Sequence, residues 1–375
     1  MKNKKKILIL MSKTGNGHLS VAESLKEAFE YTDKDKYEVK IVDGLQEYSS
    51  KLMKNISKSY VPIVKYVPSL FTSGYYFTDN EIRQSLFLSL IRLHSKEKIT
   101  KLVDNFKPDL IISVHPLLNH ITGEIAKSKN IPFVVYITDM YHVHESWFNR
   151  KADLYLVSNK YIAKQCRMHG IKNISIHPIP VKLKFFKDID KDKIRKKYNI
   201  DKNKYTLLVT FGGGGTVSPI KLLKDLMKKN MGDRYQVIVI NGKNKKTYKD
   251  VEKLKELNKK NSLKIVNLEF IDNMEEIMSI SDISICKAGS TTVQELFTMS
   301  VVPIIVNYVR GQEKTCSDFV KLKRAGIVNK RKVIESIENI TKNPKRLDRY
   351  RKNGERLVEK NSSLKAINEM LQLIK

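Results

Sequence analysis

Short runs of apolar, often branched, residues alternate along this chain with longer segments in which apolar residues recur every three or four positions. The short runs predict buried strands, and the longer segments predict helices that cross from one strand to the next. Eleven strands are predicted in two groups, at residues 7–11, 39–42, 110–114, 133–137, 154–157 and 174–176, and then at 205–211, 236–240, 264–268, 283–286 and 302–306. The pattern is typical of α/β proteins with parallel sheets.

Two domains are predicted from the length of the chain and from the break between the two groups of strands. At 375 residues the chain exceeds one ordinary hydrophobic core, and a charged stretch at 187–197 separates the groups. We predict one Rossmann-like domain at 1–185 and a second at 186–355, each built on a doubly wound sheet. Such sheets bind ligands at the carboxyl ends of their strands, so two facing domains would share one deep cleft.

The chain carries a formal net charge of +30, with 41% apolar residues. This excess of cations predicts attraction to polyanions, either nucleic acid or an anionic membrane surface; the alternative is a lysine-rich composition that decorates solvated faces. No apolar run reaches the roughly 18 residues of a membrane-spanning helix. Cys166, Cys286 and Cys316 lie far apart without the spacing of a metal site, which is typical of reduced thiols in the cytoplasm.

A predicted strand ending at Cys286 runs into a glycine turn and then into a helix that opens on hydroxyl residues. Helix N-termini carry unpaired N–H groups and a partial positive charge, so this turn suits a diphosphate. The residues assigned here are Gly289, Ser290, Thr291 and Thr292 at the diphosphate, Glu295 at a ribose, and Gln312 and Glu313, beyond the next strand, at sugar hydroxyls. Together they predict a nucleotide-sugar site.

Both halves of the chain open with a strand, a glycine-rich turn and a helix. In the first half, Gly15 and Gly17 permit close backbone approach and place His18 at the cleft edge, ahead of an amphipathic helix at 20–29. In the second half, four consecutive glycines have no side chains that would keep a phosphate away from the backbone. They are Gly212, Gly213, Gly214 and Gly215. Neither turn has the spacing of a Walker loop.

Taken in order, these motifs resemble the monoglycosyl-diacylglycerol synthase family, inverting glycosyltransferases of the GT-B fold that are similar to the lipid II-forming N-acetylglucosaminyltransferase. The matching pieces are Gly15-Asn16-Gly17-His18, Ser113-Val114-His115-Pro116-Leu117, Ile137-Thr138-Asp139 with Trp147-Phe148, the four glycines, Lys287-Ala288-Gly289 and Gly311-Gln312-Glu313. The resemblance implies a UDP-sugar, either UDP-glucose or UDP-galactose, on the C-terminal domain. It implies diacylglycerol on the N-terminal domain, and no metal or other cofactor.

The resemblance also implies roles for single residues. The acceptor region would consist of Gly17, His115, Asp139 and Trp147. Phe270 lies in the loop at 268–271 that would hold uracil through backbone groups; the alternative for Phe270 is a place in the core. A C-terminal helix at 356–375 would cross back to the first domain. The chain departs from the family pattern at 290–292, where relatives carry a further glycine, and at Arg310, where they carry proline.

His18 is the predicted catalytic base. An inverting transfer is a single displacement in which a base takes the proton of the acceptor hydroxyl, and histidine titrates near neutral pH. The alternative for His18 is a loop residue that caps the following helix. Negative charge on the departing UDP would be balanced by N–H groups of the glycine turn and of the helix start near Ser290, without a cation.

Residues 51–66 interleave lysines with apolar and aromatic residues, and the pattern continues to Phe77. Such a segment can lie in the headgroup region with its lysines on anionic lipid; the alternative is an ordinary amphipathic helix packed on the first domain. The predicted membrane contacts are Lys51, Lys54, Lys58 and Lys65. We therefore expect a peripheral protein on the inner face of the cell membrane.

Other functions are weaker fits to the same residues. Asp-x-Asp pairs at 33–35 and 188–190 lie outside the predicted strands, and four histidines match no standard metal spacing. These are His115, His120, His142 and His144. Nucleic acid is not expected as a partner, because no recognition motif is present. A UDP-sugar 2-epimerase would keep the fold, but the membrane-like segment argues against it. A polyprenyl-diphosphate sugar is the main alternative acceptor.

Overall fold

The computed structural model describes residues 4–13, 15–211 and 218–374, without the side chains of Val61 and Lys65. The chain forms two compact units. The first comprises Met1–Leu183, Val309–Cys316 and Glu359–Lys375, and the second comprises Lys184–Tyr308 and Ser317–Val358. The segment at 309–316, which lies inside the predicted second domain, thus belongs to the first unit. The domain boundaries drawn from the sequence stay a prediction.

Each unit contains one parallel six-stranded sheet. The strands are β1 Lys5–Met11, β2 Tyr37–Asp43, β3 Leu110–Ser113, β4 Phe133–Tyr136, β5 Leu154–Val157, β6 Ile174–Ile176, β7 Tyr205–Thr210, β8 Tyr235–Ile240, β9 Lys264–Leu268, β10 Ile283–Lys287, β11 Val302–Asn307 and β12 Ile327–Val328. Their order is β2-β1-β3-β4-β5-β6 in the first sheet and β12-β11-β10-β7-β8-β9 in the second. The predicted fold class, two α/β domains with parallel sheets, is confirmed.

All eleven predicted strands are present, with ends that agree within two residues. Ile7, Leu8, Ile9 and Leu10 of β1 are completely buried, and because neighbouring residues of a strand face opposite ways, both faces of the sheet are covered. Strands buried on both faces read as continuous apolar runs, which is why the sequence reveals them. Among the strands of the described residues, the two-residue edge strand β12 is the one that the sequence pattern does not predict.

The helices of the described chain cover these sheets. They are α1 Asn16–Asp33, α2 Lys51–Tyr66, α3 Pro68–Thr78, α4 Glu81–Phe106, α5 Asn119–Ser128, α6 Lys160–Met168, α7 Lys191–Lys197, α8 Ile220–Lys228, α9 Lys245–Leu257, α10 Met274–Ser279, α11 Ser290–Thr298, α12 Gln312–Leu322, α13 Val333–Thr341, α14 Pro344–Glu355 and α15 Ser362–Met370. Within the described ranges, no helix is both long enough and apolar enough to cross a bilayer.

Helix α1 begins earlier than predicted, at Asn16 rather than near residue 20. His18 therefore lies in the first turn of the helix and not in a loop. Glycine has a low helix propensity, so Gly17 makes the sequence pattern predict a later start for this helix. The buried ring of His18 and its bond to the carbonyl of Val114 help to hold the turn.

Candidate active site

His18 lies at the carboxyl edge of the first sheet, next to the chain that leaves β3. Its Nδ1 is 2.7 Å from the carbonyl oxygen of Val114 and 3.3 Å from Oγ1 of Thr138, which follows β4. A carbonyl oxygen only accepts, so Nδ1 carries the proton and Nε2 carries the lone pair. Burial lowers the pKa of His18 to about 4, against the opposing effect of the Val114 bond. The imidazole is therefore neutral at pH 7 with its lone pair on Nε2, and its pKa lies below the near-neutral value expected of histidine from the sequence.

Two aromatic rings border this imidazole. The ring centre of His115 is 4.6 Å from that of His18 in an edge contact, and the ring centre of Trp147 is 6.3 Å away. Burial, with a contribution from nearby His18, lowers the pKa of His115. Both neighbouring histidines are thus held in the neutral form.

A buried carboxyl group completes the set. Trp147 donates a hydrogen bond from Nε1 to Oδ2 of Asp139 at 2.7 Å. Burial raises the pKa of Asp139 to about 6, while the Trp147 bond acts in the opposite direction. Asn119 donates from Nδ2 to the backbone oxygen of Trp147 at 3.0 Å, which fixes the indole-bearing segment. The structure brings His18, His115, Asp139 and Trp147 together, and their roles stay predictions.

The hydroxyl-rich helix start lies in the second unit. Helix α11 opens at Ser290 after Gly289, directly beyond the carboxyl end of β10, and β10 lies between β11 and β7 in the sheet. The side chain of Thr291 is buried, whereas Ser290, Thr292 and Glu295 are half-buried. The first-turn N–H groups of α11 are therefore placed at a sheet edge of the kind that binds anions in doubly wound folds.

Gln312 and Glu313 begin helix α12 and belong to the first unit. Tyr60 donates from its hydroxyl to Oε1 of Gln312 at 3.0 Å. The side-chain Oε2 of Glu313 accepts from the backbone N–H of Val309 at 2.7 Å, closing the turn around Gly311, whose φ is +91°. Arg310, one of the departures from the family pattern, is exposed.

Comparison with known proteins identifies the family. The profile of monogalactosyldiacylglycerol (MGDG) synthase matches residues 18–181, and that of the glycosyltransferase family 28 C-terminal domain matches 206–373. Monogalactosyldiacylglycerol synthase 1 of Arabidopsis thaliana is 32% identical, over 99% of this chain and 71% of the relative. The chain belongs to the MGDG synthase family. The processive diacylglycerol beta-glucosyltransferase of Bacillus subtilis is 28% identical, over 99% of this chain and 96% of the relative.

Solved structures of other proteins share the fold of this family member. MurG of Acinetobacter baumannii has a TM-score of 0.62 at 12% identity, covering 98% of this chain and 99% of MurG. MnaA of Staphylococcus aureus, solved with UDP, has a TM-score of 0.63 at 14% identity, covering 98% and 97%. At such identities the likeness concerns the fold, and the fold is GT-B.

The four-glycine turn and Phe270 were also predicted to contact the UDP-sugar. Gly212, Gly213, Gly214 and Gly215 lie outside the described residues. Phe270 follows β9, is 54% exposed and has the ammonium of Lys243 5.7 Å from its ring centre. The alternative that Phe270 is a core residue is therefore wrong. A contact with uracil stays a prediction.

The histidines beyond β4, His142 and His144, lie next to the carboxylate of Asp79. Nε2 of His142 lies 3.3 Å from Oδ2 of Asp79, and this bond raises the pKa of His142. Asp79 also accepts from the backbone N–H of Glu145 at 3.0 Å. In the part of the chain that the structure describes, no group of three His, Cys, Asp or Glu side chains is placed to hold a metal ion.

The predicted membrane lysines lie on α2. Lys51 and Lys58 are exposed, Lys54 is half-buried, and the side chain of Lys65 is not described. On the same helix Met53 and Ser57 are buried while Leu52 and Ile56 are exposed. The helix thus packs through a narrow stripe and leaves lysines and apolar side chains on the outside.

Proposed function

We propose that this protein transfers a hexose from UDP-glucose or UDP-galactose to the free hydroxyl of diacylglycerol with inversion at the anomeric carbon. The observation that carries the proposal is the state of His18. Its Nδ1 is bonded to Val114, which leaves the lone pair on Nε2, and its ring centre lies 6.3 Å from that of Trp147, the residue that donates to Asp139. The named activities of the Arabidopsis and Bacillus relatives support the acceptor, and solved complexes of the same fold with UDP and UDP-glucose support the donor.

In the proposed reaction Nε2 of His18 takes the proton of the diacylglycerol hydroxyl as the alkoxide oxygen forms its bond to the anomeric carbon. The bond from that carbon to the diphosphate breaks at the same time, and UDP leaves with the electron pair. Asp139, ionised above its raised pKa of about 6, then supplies negative charge near the imidazolium. The N–H groups at the start of α11, with the glycines at 212–215, stabilise the departing diphosphate.

The donor site is proposed to work without a metal ion. The helix N-terminus at Ser290 supplies a partial positive charge and unpaired N–H groups for the diphosphate. Uracil would lie at the loop that follows β9, next to Phe270. Glu295, one turn into α11, is proposed to accept from the ribose.

The acceptor is proposed to reach the first unit from an anionic membrane surface. Of the 17 large apolar side chains that are exposed in the described part of the chain, 11 lie between Leu52 and Leu93. Four of them, Ile82, Leu86, Leu90 and Leu93, follow helical spacing along α4; we call them the α4 stripe. An exposed apolar patch of this kind marks a protein or membrane contact.

Charge favours the membrane over a protein partner. Residues 51–106 contain nine Lys and Arg against four Asp and Glu, a net +5. Each basic residue near an anionic surface contributes on the order of 1 kcal/mol, and apolar side chains add their burial at the acyl boundary. The predicted lysines of α2 would therefore act together with the α4 stripe.

The test is transfer of labelled sugar from UDP-glucose and from UDP-galactose to diacylglycerol in anionic vesicles containing EDTA. Product is expected from one donor or both, and His18→Ala should lower kcat by a factor of about 10² to 10⁴ while leaving the affinity for UDP unchanged. His94→Ala, in α4, is the control and should keep its activity. Transfer by His18→Ala at the wild-type rate would refute the assignment of the base. If the protein binds UDP but forms no product on diacylglycerol, a polyprenyl lipid becomes the expected acceptor.

A further inference from the structure

The turn that carries Gln312 is seated on aromatic side chains of α2 and α3. Tyr60 of α2 contacts Phe71 of α3 with ring centres 5.4 Å apart, and Phe71 contacts Tyr75 at 6.1 Å. The ring of Tyr75 lies so close to Gly311 that a Cβ at that glycine would be 2.7 Å from a ring carbon. Gly311 also has a φ of +91°, so both contact and backbone conformation require glycine here.

One hydrogen bond joins this aromatic cluster to the side chain of Gln312. The hydroxyl of Tyr60 donates to Oε1 at 3.0 Å, which fixes the amide so that its nitrogen, a donor, is the end left for a hydroxyl oxygen of the sugar. Burial, with the charges of Glu313 and Asp139, raises the pKa of Tyr60. The phenol therefore stays protonated and keeps donating throughout the working pH range.

We propose that Tyr60 is a positioning residue for the donor hexose, which orients Gln312 so that its amide N–H groups meet a hydroxyl of the sugar. The inference rests on the proposed function, because it takes Gln312 as a sugar contact. It adds a residue that lies on the lysine-bearing helix α2, more than 250 positions away in the sequence. One face of α2 would then contact the membrane, and the opposite face would position the group that binds the donor sugar.

The experiment measures the affinities of UDP and of the UDP-hexose separately, by titration calorimetry on the full chain. Tyr60→Phe should weaken the UDP-hexose by about 3- to 10-fold, the range for loss of one neutral hydrogen bond, and leave UDP unchanged because UDP has no hexose. Tyr66→Phe removes a hydroxyl from the same helix at a ring that is 72% exposed, and should change neither affinity. Tyr66→Phe should keep the wild-type unfolding midpoint, and loss of the Tyr60 hydrogen bond should lower it by only a few degrees, so both variants are folded in the assay.

A double-mutant cycle separates positioning from a general effect on the fold. If Tyr60 acts through Gln312, Tyr60→Phe should cost little more once Gln312→Ala is present, so the two losses should not add. Additive losses, an unchanged UDP-hexose affinity in Tyr60→Phe, or an equal loss for UDP would each overturn the proposal. These affinities do not depend on lipid product. If the protein binds UDP-hexose but does not glycosylate diacylglycerol, the proposed acceptor is refuted. The role of Tyr60 can still be tested, because its test measures only UDP-hexose binding.

Discussion

At the scale of single residues, the buried titratable groups around His18 have opposite effects on stability as pH changes. His18 has a pKa of about 4 when folded, below the ordinary 6.5, so only the unfolded chain binds its proton between those values. Its contribution to stability is therefore lost as pH falls from about 6.5 to 4. Asp139 has a folded pKa of about 6, above the ordinary 3.8, so the folded chain binds the extra proton. The Asp139 contribution is gained as pH falls from about 6 to 4.

Replacing His18 should change how the stability of the protein depends on pH, because, of these two contributions, only that of Asp139 is then left. His18→Asn keeps a donor for the carbonyl of Val114 but removes the titrating group. We expect the free energy of unfolding to fall less between pH 7 and 4.5 in the variant than in the wild type, by about 2 kcal/mol or less. Urea unfolding at both pH values measures the difference. Wild-type and variant curves that decline in parallel would contradict the assigned shift.

Asp139 should also shape the activity profile. If its carboxylate balances the imidazolium in the transition state, transfer should decrease as pH falls through about 6, where Asp139 gains a proton. Asp139→Asn should have low activity and should lack this limb of the profile. Initial rates from pH 5 to 8 with saturating donor provide the measurement, and an unchanged acidic limb in the variant would rule Asp139 out as its source.

At the scale of helices, α4 has two apolar stripes where a surface helix normally has one. Leu88, Ile91, Ile99 and Leu102 pack into the core of the first unit, whereas Ile82, Leu86, Leu90 and Leu93 are exposed. Apolar periodicity in the sequence cannot distinguish them, because both follow the spacing of a buried face. The predicted membrane contact is therefore confined to residues 51–77, and the α4 stripe becomes visible only in the structure.

The α4 stripe predicts a matched pair of variants. Leu86→Glu together with Leu90→Glu should lower binding to vesicles that contain anionic lipid, because charge is placed where acyl chains are expected and next to lipid phosphate. Leu257→Glu together with Leu322→Glu, at exposed leucines of α9 and α12, adds the same two charges; this control should sediment with vesicles like the wild type. Equal sedimentation of all three proteins would rule the stripe out as a docking surface.

At the scale of the whole molecule, the first unit is assembled from three separated parts of the chain. Helix α15 packs against α1, the helix that carries His18, and buries Ala366, Ile367 and Met370. Nearby, Nε2 of His177 lies 3.0 Å from Oε1 of Glu369. The last residues of the chain thus form part of the core that supports the candidate base.

Shortening a buried side chain of α15 should destabilise the first unit. Ile367→Ala removes apolar volume from a completely buried site and is expected to cost about 2–5 kcal/mol. Gln372→Ala, at an exposed position beyond α15, should have little effect. Urea unfolding followed by the fluorescence of Trp147, the only tryptophan, reports on this unit. Equal stability of the two variants would contradict the packing of α15.

The sequence by itself determined the two parallel sheets and the residues at their carboxyl edges. Buried parallel strands must be continuous apolar runs, and the polar residues that end them, such as His115 and Asp139, necessarily gather at one edge. Helix ends were predicted less accurately. Gly17 has a low helix propensity, so the sequence predicts a later start for α1, whereas in the structure the tertiary contacts of His18 stabilise the first turn.

Only the tertiary structure decided which distant segments meet and which apolar faces stay exposed. Tyr60 and Gln312 lie far apart in the sequence, and nothing local in either segment specifies their hydrogen bond. The tautomer of His18 likewise depends on the carbonyl of Val114, which reaches it from another strand. Sequence patterns record each element's own propensity and periodicity, whereas pairing, burial and proton position arise from neighbours that folding supplies.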